Sequence, residues 1–275
     1  MPLLLLKIKV MIITKYLDDA FAHVYQQRKS KTERDEIWLY SHNWIDHRNE
    51  IEYKILNNAY ILNPCKTFMY KENKFLHYFS VQDQIVLKAI SLMLFEVLPR
   101  HLCCYSYRGH GGVAAVHRKV LGHDNYQYVL KTDVKDYYAS IDHYMLILKL
   151  YEYIREPYLL RIIYQLLNRV NERYYSYNVG IPRGASLSHL LGNFYLHSLD
   201  EVFSSRYSQK YFRYMDDILV LTQTKGALRR ADKTIKQKLS RLKLTVSYRK
   251  TYIGKNKGNI VFLGKDISVV KNGNS

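Results

Sequence analysis

Phe212-Arg213-Tyr214-Met215-Asp216-Asp217-Ile218-Leu219-Val220-Leu221 is the stretch that decides how this chain is read. Two adjacent carboxylates interrupt an otherwise apolar, β-prone run. The pattern predicts one strand over Gln209–Tyr214 and another over Ile218–Thr222, with Met-Asp-Asp at the turn. Aspartate in such a setting is rare unless it is paired or binds a metal, because desolvating a carboxylate is costly. The hairpin therefore asks for a cation. On its own the tetrapeptide also reads as a turn capped by its own side chains. The rest of the chain has to choose.

The 275 residues suffice for one large domain or two small ones with a sizeable core, and the 48% apolar content excludes a disordered tail protein. Lys and Arg number 42 against 24 acidic residues, a formal charge of +18, which favours nucleic acid or an anionic membrane surface as partner. The 27 tyrosines mixed among basic residues suit bases that stack and phosphates that need neutralising. A ribosomal or architectural binder fits this composition too. Cys65, Cys103 and Cys104 have neither metal-ligand spacing nor a disulfide framework, so a cytoplasmic, reducing setting is expected. The apolar stretch Pro2–Ile13 is too short to span a bilayer and is broken by Lys7 and Lys9. It also lacks a basic leader and a small-residue cleavage site, so a packed first element and no membrane role are expected.

Residues 14–58 read as helical, with a start signal at Thr32-Glu33-Arg34-Asp35. Lys66–Phe79 reads as a small β-region with Lys71 and Lys74 exposed, and Ser80 then caps an amphipathic helix. Tyr107-Arg108-Gly109-His110-Gly111-Gly112 is a Gly-rich loop entering a helix. Such a loop can hold phosphate on its backbone amides, or be an ordinary tight turn; Arg108 and Lys119 keep the anion reading open. A β-prone run from Tyr126 ends at Asp133, a second carboxylate to match the hairpin's. Asp142 is expected to cap the next helix rather than take part in chemistry, and Pro157 to open another reaching Val170. Gly180–Ser188 reads as a turn launching one helix through Asn193, Tyr195 and Val202. Residues 225–243 form a basic amphipathic helix whose charged outer face, taken alone, reads as solvated. Two strands, Thr245–Tyr252 and Asn259–Val270, close the chain around Gly254 and Gly258.

Two carboxylates from different strands, beside Gly-rich turns on a basic protein, suit two-metal phosphoryl transfer. Asp133 and Asp216 would hold two Mg²⁺ ions about 3.5–4 Å apart, one activating a 3′-hydroxyl and one steadying the leaving pyrophosphate. Mg²⁺ takes few protein carboxylates and completes its shell with substrate phosphates, so a sparse acidic set is expected. Mn²⁺ is a plausible substitute.

At this point the chain resembles the reverse transcriptases, specifically the bacterial retroelement and defence-associated kind, over residues 57–268. Asp133-Val134-Lys135-Asp136-Tyr137-Tyr138 with Ile141 resembles the first palm motif. Ile181-Pro182-Arg183-Gly184 through Ser188 and Asn193 resembles the second, and Tyr214-Met215-Asp216-Asp217 the third. Leu242–Ser247 with Lys250-Thr251 is similar to the fourth, and Phe262-Leu263-Gly264 to the fifth. Their order is the family's.

The resemblance implies metal ligation by Asp133 and Asp216, with the Val134 carbonyl helping and Asp217 in support. It implies that Tyr138 crowds a ribose 2′-hydroxyl, favouring dNTPs over rNTPs, and that Lys250 protonates departing pyrophosphate. A surface lysine at a strand end is the other reading of Lys250. The second motif departs from the family, with Arg183 where Gln is usual and His189 where Pro is common. Arg183 would contact the sugar or triphosphate, as a planar guanidinium does well. The fingers segment has Leu76 and His77 near the place of the usual Arg, leaving Lys71, Lys74, Arg108 and Arg183, with Gly184, to bind the nucleotide. After Gly264 eleven residues follow, too few for the family's helical thumb.

The implied fold class is α+β, a right-hand polymerase with fingers and an antiparallel palm sheet backed by helices, the thumb absent or vestigial. The expected organisation is an N-terminal helical segment (1–56), fingers (57–125, joined by part of 155–182) and palm (126–275). The implied activity is RNA-directed DNA polymerisation on an RNA template, with dNTPs as substrates and DNA as product. A partner protein or structured RNA would replace the thumb, in a phage-defence or mobile-element setting. A template-independent or protein-primed nucleotidyl transferase is one alternative. A catalytically silent, maturase-like RNA-binding subunit is the other.

Overall fold

The computed structural model describes residues 11–72, 74–122, 126–169, 177–205, 209–257 and 259–267. The expectations placed on Pro2–Val10, Val170, Gly258 and residues 268–270 lie outside them. In chain order come α1 (Met11–Thr14), α2 (Leu17–Arg28), α3 (Ile37–His42), α4 (Trp44–Leu56), β1 (Lys66–Lys71), β2 (Lys74–Tyr78) and α5 (Val81–Val97). Next are α6 (Gly112–Leu121), β3 (Tyr128–Asp133), α7 (Tyr137–Ser140), α8 (His143–Tyr151) and α9 (Pro157–Leu167). The remainder comprises α10 (Ser186–Tyr195), α11 (His197–Ser204), β4 (Gln209–Tyr214), β5 (Asp217–Thr222), α12 (Lys225–Arg241), β6 (Tyr252–Lys255), β7 (Val261–Phe262) and β8 (Lys265–Asp266). The chain divides into two compact units, Met1–Leu98 with Ile141–Leu191, and Pro99–Ser140 with Gly192–Ser275.

In the first unit α1 and α2 pack on α5, whose Ile85, Val86, Ala89, Ile90, Met93 and Leu94 are buried as their spacing predicts. Each fully buried aliphatic side chain contributes about 1.5–3 kcal/mol. Ser80 starts α5: its hydroxyl accepts from the Asp83 amide at 3.2 Å and donates to Asp83 Oδ2 at 2.8 Å. Asp83 is itself buried, and the Tyr60 hydroxyl and Asn63 amide also donate to it. The helical reading of residues 14–58 resolves into separate helices. The break before α3 is made by Asp35, which accepts from the Ile37 amide at 3.0 Å and takes a two-pronged ion pair from Arg28. Such side-chain bonds compete with a continuous helix. Asp142 caps α8 through the Met145 amide at 2.9 Å, and Pro157 stands in the first turn of α9.

The second unit is built on a four-stranded antiparallel sheet, ordered β4-β5-β3-β6. The register pairs Val129 with Leu221, Lys131 with Leu219 and Asp133 with Asp217, so these share one face. That face packs Val129, Phe212, Leu219 and Leu221 against Val116 and Val120 of α6 and against Ile260, Phe262 and Ile267. The opposite face carries Leu130, Val220 and Tyr211. α11 and α12 cover it, with Phe203 of α11 stacked on Tyr211 at 4.6 Å.

Three sequence expectations are corrected. The single helix after Ser188 breaks at Leu196 into α10 and α11, leaving Asp200 of α11 at the back of β4. Thr245–Tyr252 is not one strand: Val246 bridges Val134, Tyr248–Lys250 forms a 3-10 turn, and β6 begins at Tyr252. The cause is local, because the Lys250 amide and the Thr251 hydroxyl both donate to the Ser247 carbonyl and wind the chain. The last expected strand is, within the described residues, a two-strand ribbon of β7 and β8. It turns at Leu263 (φ 49°) and Gly264 (φ 82°), the two positive values that a tight hairpin requires.

Candidate active site

The β4–β5 hairpin closes at the Tyr214–Asp217 pair, which leaves Met215 and Asp216 as its two turn residues. Met215 adopts φ 54°, a left-handed conformation that costs a non-glycine residue of order 1–3 kcal/mol. Two bonds hold it. Its amide donates to Ser106 Oγ at 3.1 Å, and its carbonyl accepts from Arg213 Nη1 at 2.7 Å. The same Ser106 hydroxyl donates to Asn193 Oδ1 at 2.6 Å, and Arg213 also donates to the Asn193 carbonyl at 3.1 Å. Arg213 then pairs with Asp200, which accepts from the Tyr211 hydroxyl at 2.9 Å. A buried hydrogen-bonded network thus sits directly behind the acidic turn.

Asp133 ends β3 opposite Asp217, and the Val134 amide donates to the Asp216 carbonyl at 3.3 Å. This brings the first carboxylate beside the turn. Asp133 is 5% exposed, and its Oδ1 is buried with no hydrogen-bond partner. Its Oδ2 accepts from Lys250 Nζ. Lys250 arrives through the 3-10 turn, which the Ser247 amide anchors by donating to the Asp133 carbonyl at 2.9 Å. Burial first, then the charges of Asp216 and Asp133, push the Asp217 carboxyl up to about 6. The hydrogen bond to Asp133 holds the Lys250 ammonium above its ordinary range.

Carboxylates crowded until one resists ionisation, with an orphaned buried oxygen among them, form a site that fits a cation. Among the described residues no group of three or more His, Cys, Asp or Glu is placed to hold one ion. A hard cation here would therefore draw much of its shell from substrate oxygens and water, as Mg²⁺ commonly does.

The second unit brings together Asp133, Val134, Asp216, Asp217 and Lys250. Tyr138 lies in the same unit on α7, half-buried, its ring edge-on to Tyr137 at 6.1 Å. Tyr137 is buried and its hydroxyl donates to the Gly192 carbonyl. Arg108 is exposed on the Gly-rich loop, where Gly109, Gly111 and Gly112 all have positive φ and Gly111 leads into α6. The other candidates belong to the first unit. Lys71 and Lys74 face each other, exposed, at the β1–β2 tip. Arg183 is half-buried, and its carbonyl accepts from the His77 amide at 2.8 Å. Gly184, at φ 104°, lies so close to β2 that a Cβ would stand 2.3 Å from the His77 carbonyl oxygen. A backbone approach this tight explains glycine here without any ligand.

Sequence reasoning passed over Arg213, Asp200 and Ser106. The available signal was Arg213 itself, a cation in an apolar strand that demands a buried partner. Nothing in its sequence neighbourhood names Asp200 as that partner.

The family model described as "Reverse transcriptase (RNA-dependent DNA polymerase)" matches residues 46–267. A Saccharomyces cerevisiae protein named for intron 2 of COX1/OXI3 is 24% identical over 137 residues, 47% of this chain and 16% of that protein. Apo telomerase from Candida tropicalis matches with a TM-score of 0.51 at 15% identity, over 68% of this chain and 39% of its own. Telomerase from Candida albicans with a fragment of telomeric RNA matches with a TM-score of 0.50 at 13% identity, over 66% of this chain and 36% of its own. The chain thus spans well under half the length of these relatives. The structural likeness is one of fold, a polymerase's fingers and an antiparallel palm sheet backed by helices. No described helix is long and apolar enough to cross a membrane.

Proposed function

On the premise that the chain belongs to the reverse transcriptase (RNA-dependent DNA polymerase) family, matched over residues 46–267, we propose that it extends a primer with dNTPs on an RNA template. The observation that carries this reading is the meeting of Asp133 with the Asp216–Asp217 turn, where neighbouring carboxylates and burial push Asp217 up to about 6. An acidic cluster repels phosphate, so it suits a chain that works on phosphate through cations better than a silent RNA-binding subunit.

In this reading Asp133 and Asp216 hold Mg²⁺, with Mn²⁺ as substitute, supported by the Val134 carbonyl and Asp217. The bound cation supplies activation of the primer 3′-hydroxyl and neutralises charge on the transferring phosphate. Lys250 keeps its proton at Nζ, raised by Asp133, and delivers it to the departing pyrophosphate. Tyr138 excludes a 2′-hydroxyl and so selects dNTPs. Lys71, Lys74, Arg108 and Arg183 neutralise the triphosphate, with Gly184 allowing the close approach of backbone beside Arg183. We assign the fingers to residues 57–125 with part of 155–182, the palm to 126–275, and an N-terminal helical segment to 1–56. A partner protein or structured RNA completes the grip on primer and template, in a phage-defence or mobile-element setting.

Primer extension on an annealed RNA template tests the reading, with dNTPs against rNTPs in Mg²⁺ and in Mn²⁺. Template-directed DNA that disappears in Asp216→Ala/Asp217→Ala is the expected result. DNA made without template would replace the reading with a nucleotidyl transferase. No product in any condition, with RNA still bound, would reject autonomous polymerisation.

A further inference from the structure

α12 carries seven Lys or Arg residues and one acid, Asp232, in seventeen positions. Its apolar side, Ala227, Leu228, Ala231, Ile235 and Leu239, is buried where the helix covers the sheet. Lys225, Arg229, Arg230, Lys233, Lys236 and Arg241 are all exposed. At 100° per residue those six fall within about 160° of arc on the outer side. The helix is about 25 Å long at 1.5 Å per residue, so the charges are spread over one broad, rigid basic face. Among the described residues the ion pair recorded for this helix is Lys236 with Asp232, on an exposed surface where such pairs are weak.

The placement separates this basic face from the carboxylates. α12 packs on the sheet face bearing Leu130 and Val220, whereas Asp133 and Asp217 belong to the opposite face. A row of cations behind the sheet is of no use to a nucleotide bound in front of it. We propose that the outer face of α12 is a docking site for the phosphate backbone of base-paired RNA, distinct from the template-primer site.

Three features select this occupant. The charge pattern is complementary to a duplex, whose two strands present closely spaced phosphates along one axis. α12 contains no aromatic residue, so it offers no platform for the stacked bases of a single strand. A helix that binds membranes inserts an apolar face, and here that face is already buried against the sheet. The choice of RNA over DNA rests on the proposed polymerase reading; the existence of the basic face does not.

The test is binding of the full chain to a labelled RNA hairpin of about 20 base pairs, blocked at its 3′ end so that extension plays no part. Arg229, Arg230, Lys233 and Arg241 are replaced together by Gln, which matches Arg and Lys in helix propensity. Removing four phosphate contacts should flatten the slope of log K against log salt by about 3 and weaken binding at least tenfold at physiological salt. Extension of a short primer-template, if the polymerase reading holds, should stay within about twofold of wild type, because the carboxylate face is untouched. Arg229→Lys/Arg230→Lys/Arg241→Lys should keep the hairpin affinity, and thermal melting by circular dichroism should match wild type for both variants. Unchanged affinity and salt slope in the Gln variant would overturn the site. Tighter binding to a DNA duplex of equal length would overturn the RNA assignment, as would loss of binding confined to phosphatidylserine vesicles. Asp133→Asn/Asp216→Asn should abolish extension and leave hairpin binding intact, which separates a failure of this site from a failure of the polymerase reading.

Discussion

Arg213 and Asp200 form a two-pronged ion pair from which water is excluded, their side chains 0% and 1% exposed. Arg213 stands three residues before Asp216, and its remaining donors reach the Met215 and Asn193 carbonyls. The pair therefore links the packing of α11 to the conformation of the acidic turn. Removing one partner of a buried pair strands a desolvated charge, at about 3–5 kcal/mol. Arg213→Met should lose that much in urea denaturation. Arg213→Met/Asp200→Leu should recover most of it. Both variants should extend primers slowly, because the Met215 carbonyl has lost its donor in each. A double variant with wild-type extension would show that the pair serves stability alone.

Asp217 links pH to stability. An unfolded Asp titrates near 3.9 and folding moves this one up to about 6, through burial and then the charges of Asp216 and Asp133. Between those values the folded chain keeps a proton that the unfolded chain has lost, so stability falls as pH rises through about 4 to 6 and stays low above it. Asp217→Asn should be more stable than wild type at pH 7 by about 1–2 kcal/mol, a figure discounted because the side chain is half-exposed. The gap should close below about pH 4. Melting temperatures of both proteins across this range are the measurement. Mg²⁺ should raise the wild-type value more than the variant's, and a gap that ignores pH would mean that folding does not raise this carboxyl.

Lys250 separates chemistry from stability. Its side chain is 68% exposed while that of Asp133 is 7% exposed. An ion pair with one end in water contributes little, about 0–1 kcal/mol. Lys250→Ala should therefore melt within a few degrees of wild type. A lost general acid should slow extension about 10²-fold or more at saturating dNTP. Lys250→Arg should restore the charge beside Asp133 without restoring an acid of similar strength. Wild-type rates in Lys250→Ala would return this residue to the surface of the protein.

Gly184 tests the reverse case, a motif residue with a structural explanation. Any side chain there meets the His77 carbonyl at 2.3 Å and must adopt φ 104°. Gly184→Ala should lose about 2 kcal/mol or more, from backbone strain and the displaced β2 together. Denaturant midpoints and proteolysis near β1 and β2 would both register it. A variant that stays stable and loses only nucleotide affinity would assign the glycine to substrate instead.

The local rules were legible in the chain. Ser80 and Asp142 announced their helices, the buried line of α5 followed its spacing, and the hairpin around Asp216 and Asp217 showed in alternation and turn composition. So did Asp133, as an acid ending an apolar strand. Each of these signals lies within a few residues of its cause. What the sequence left undetermined depends on partners far along the chain. Asp133 and Lys250 are 117 residues apart, and Ser106 lies 109 residues from the amide it receives. Hydrophobic periodicity records which side of an element is buried, not which element buries it. Only the folded sheet decided that Asp133 stands opposite Asp217, that Arg213 finds Asp200, and that the cations of α12 face away from the acids of β3 and β5. Those juxtapositions arise from register and layer packing, which no local stretch of residues encodes.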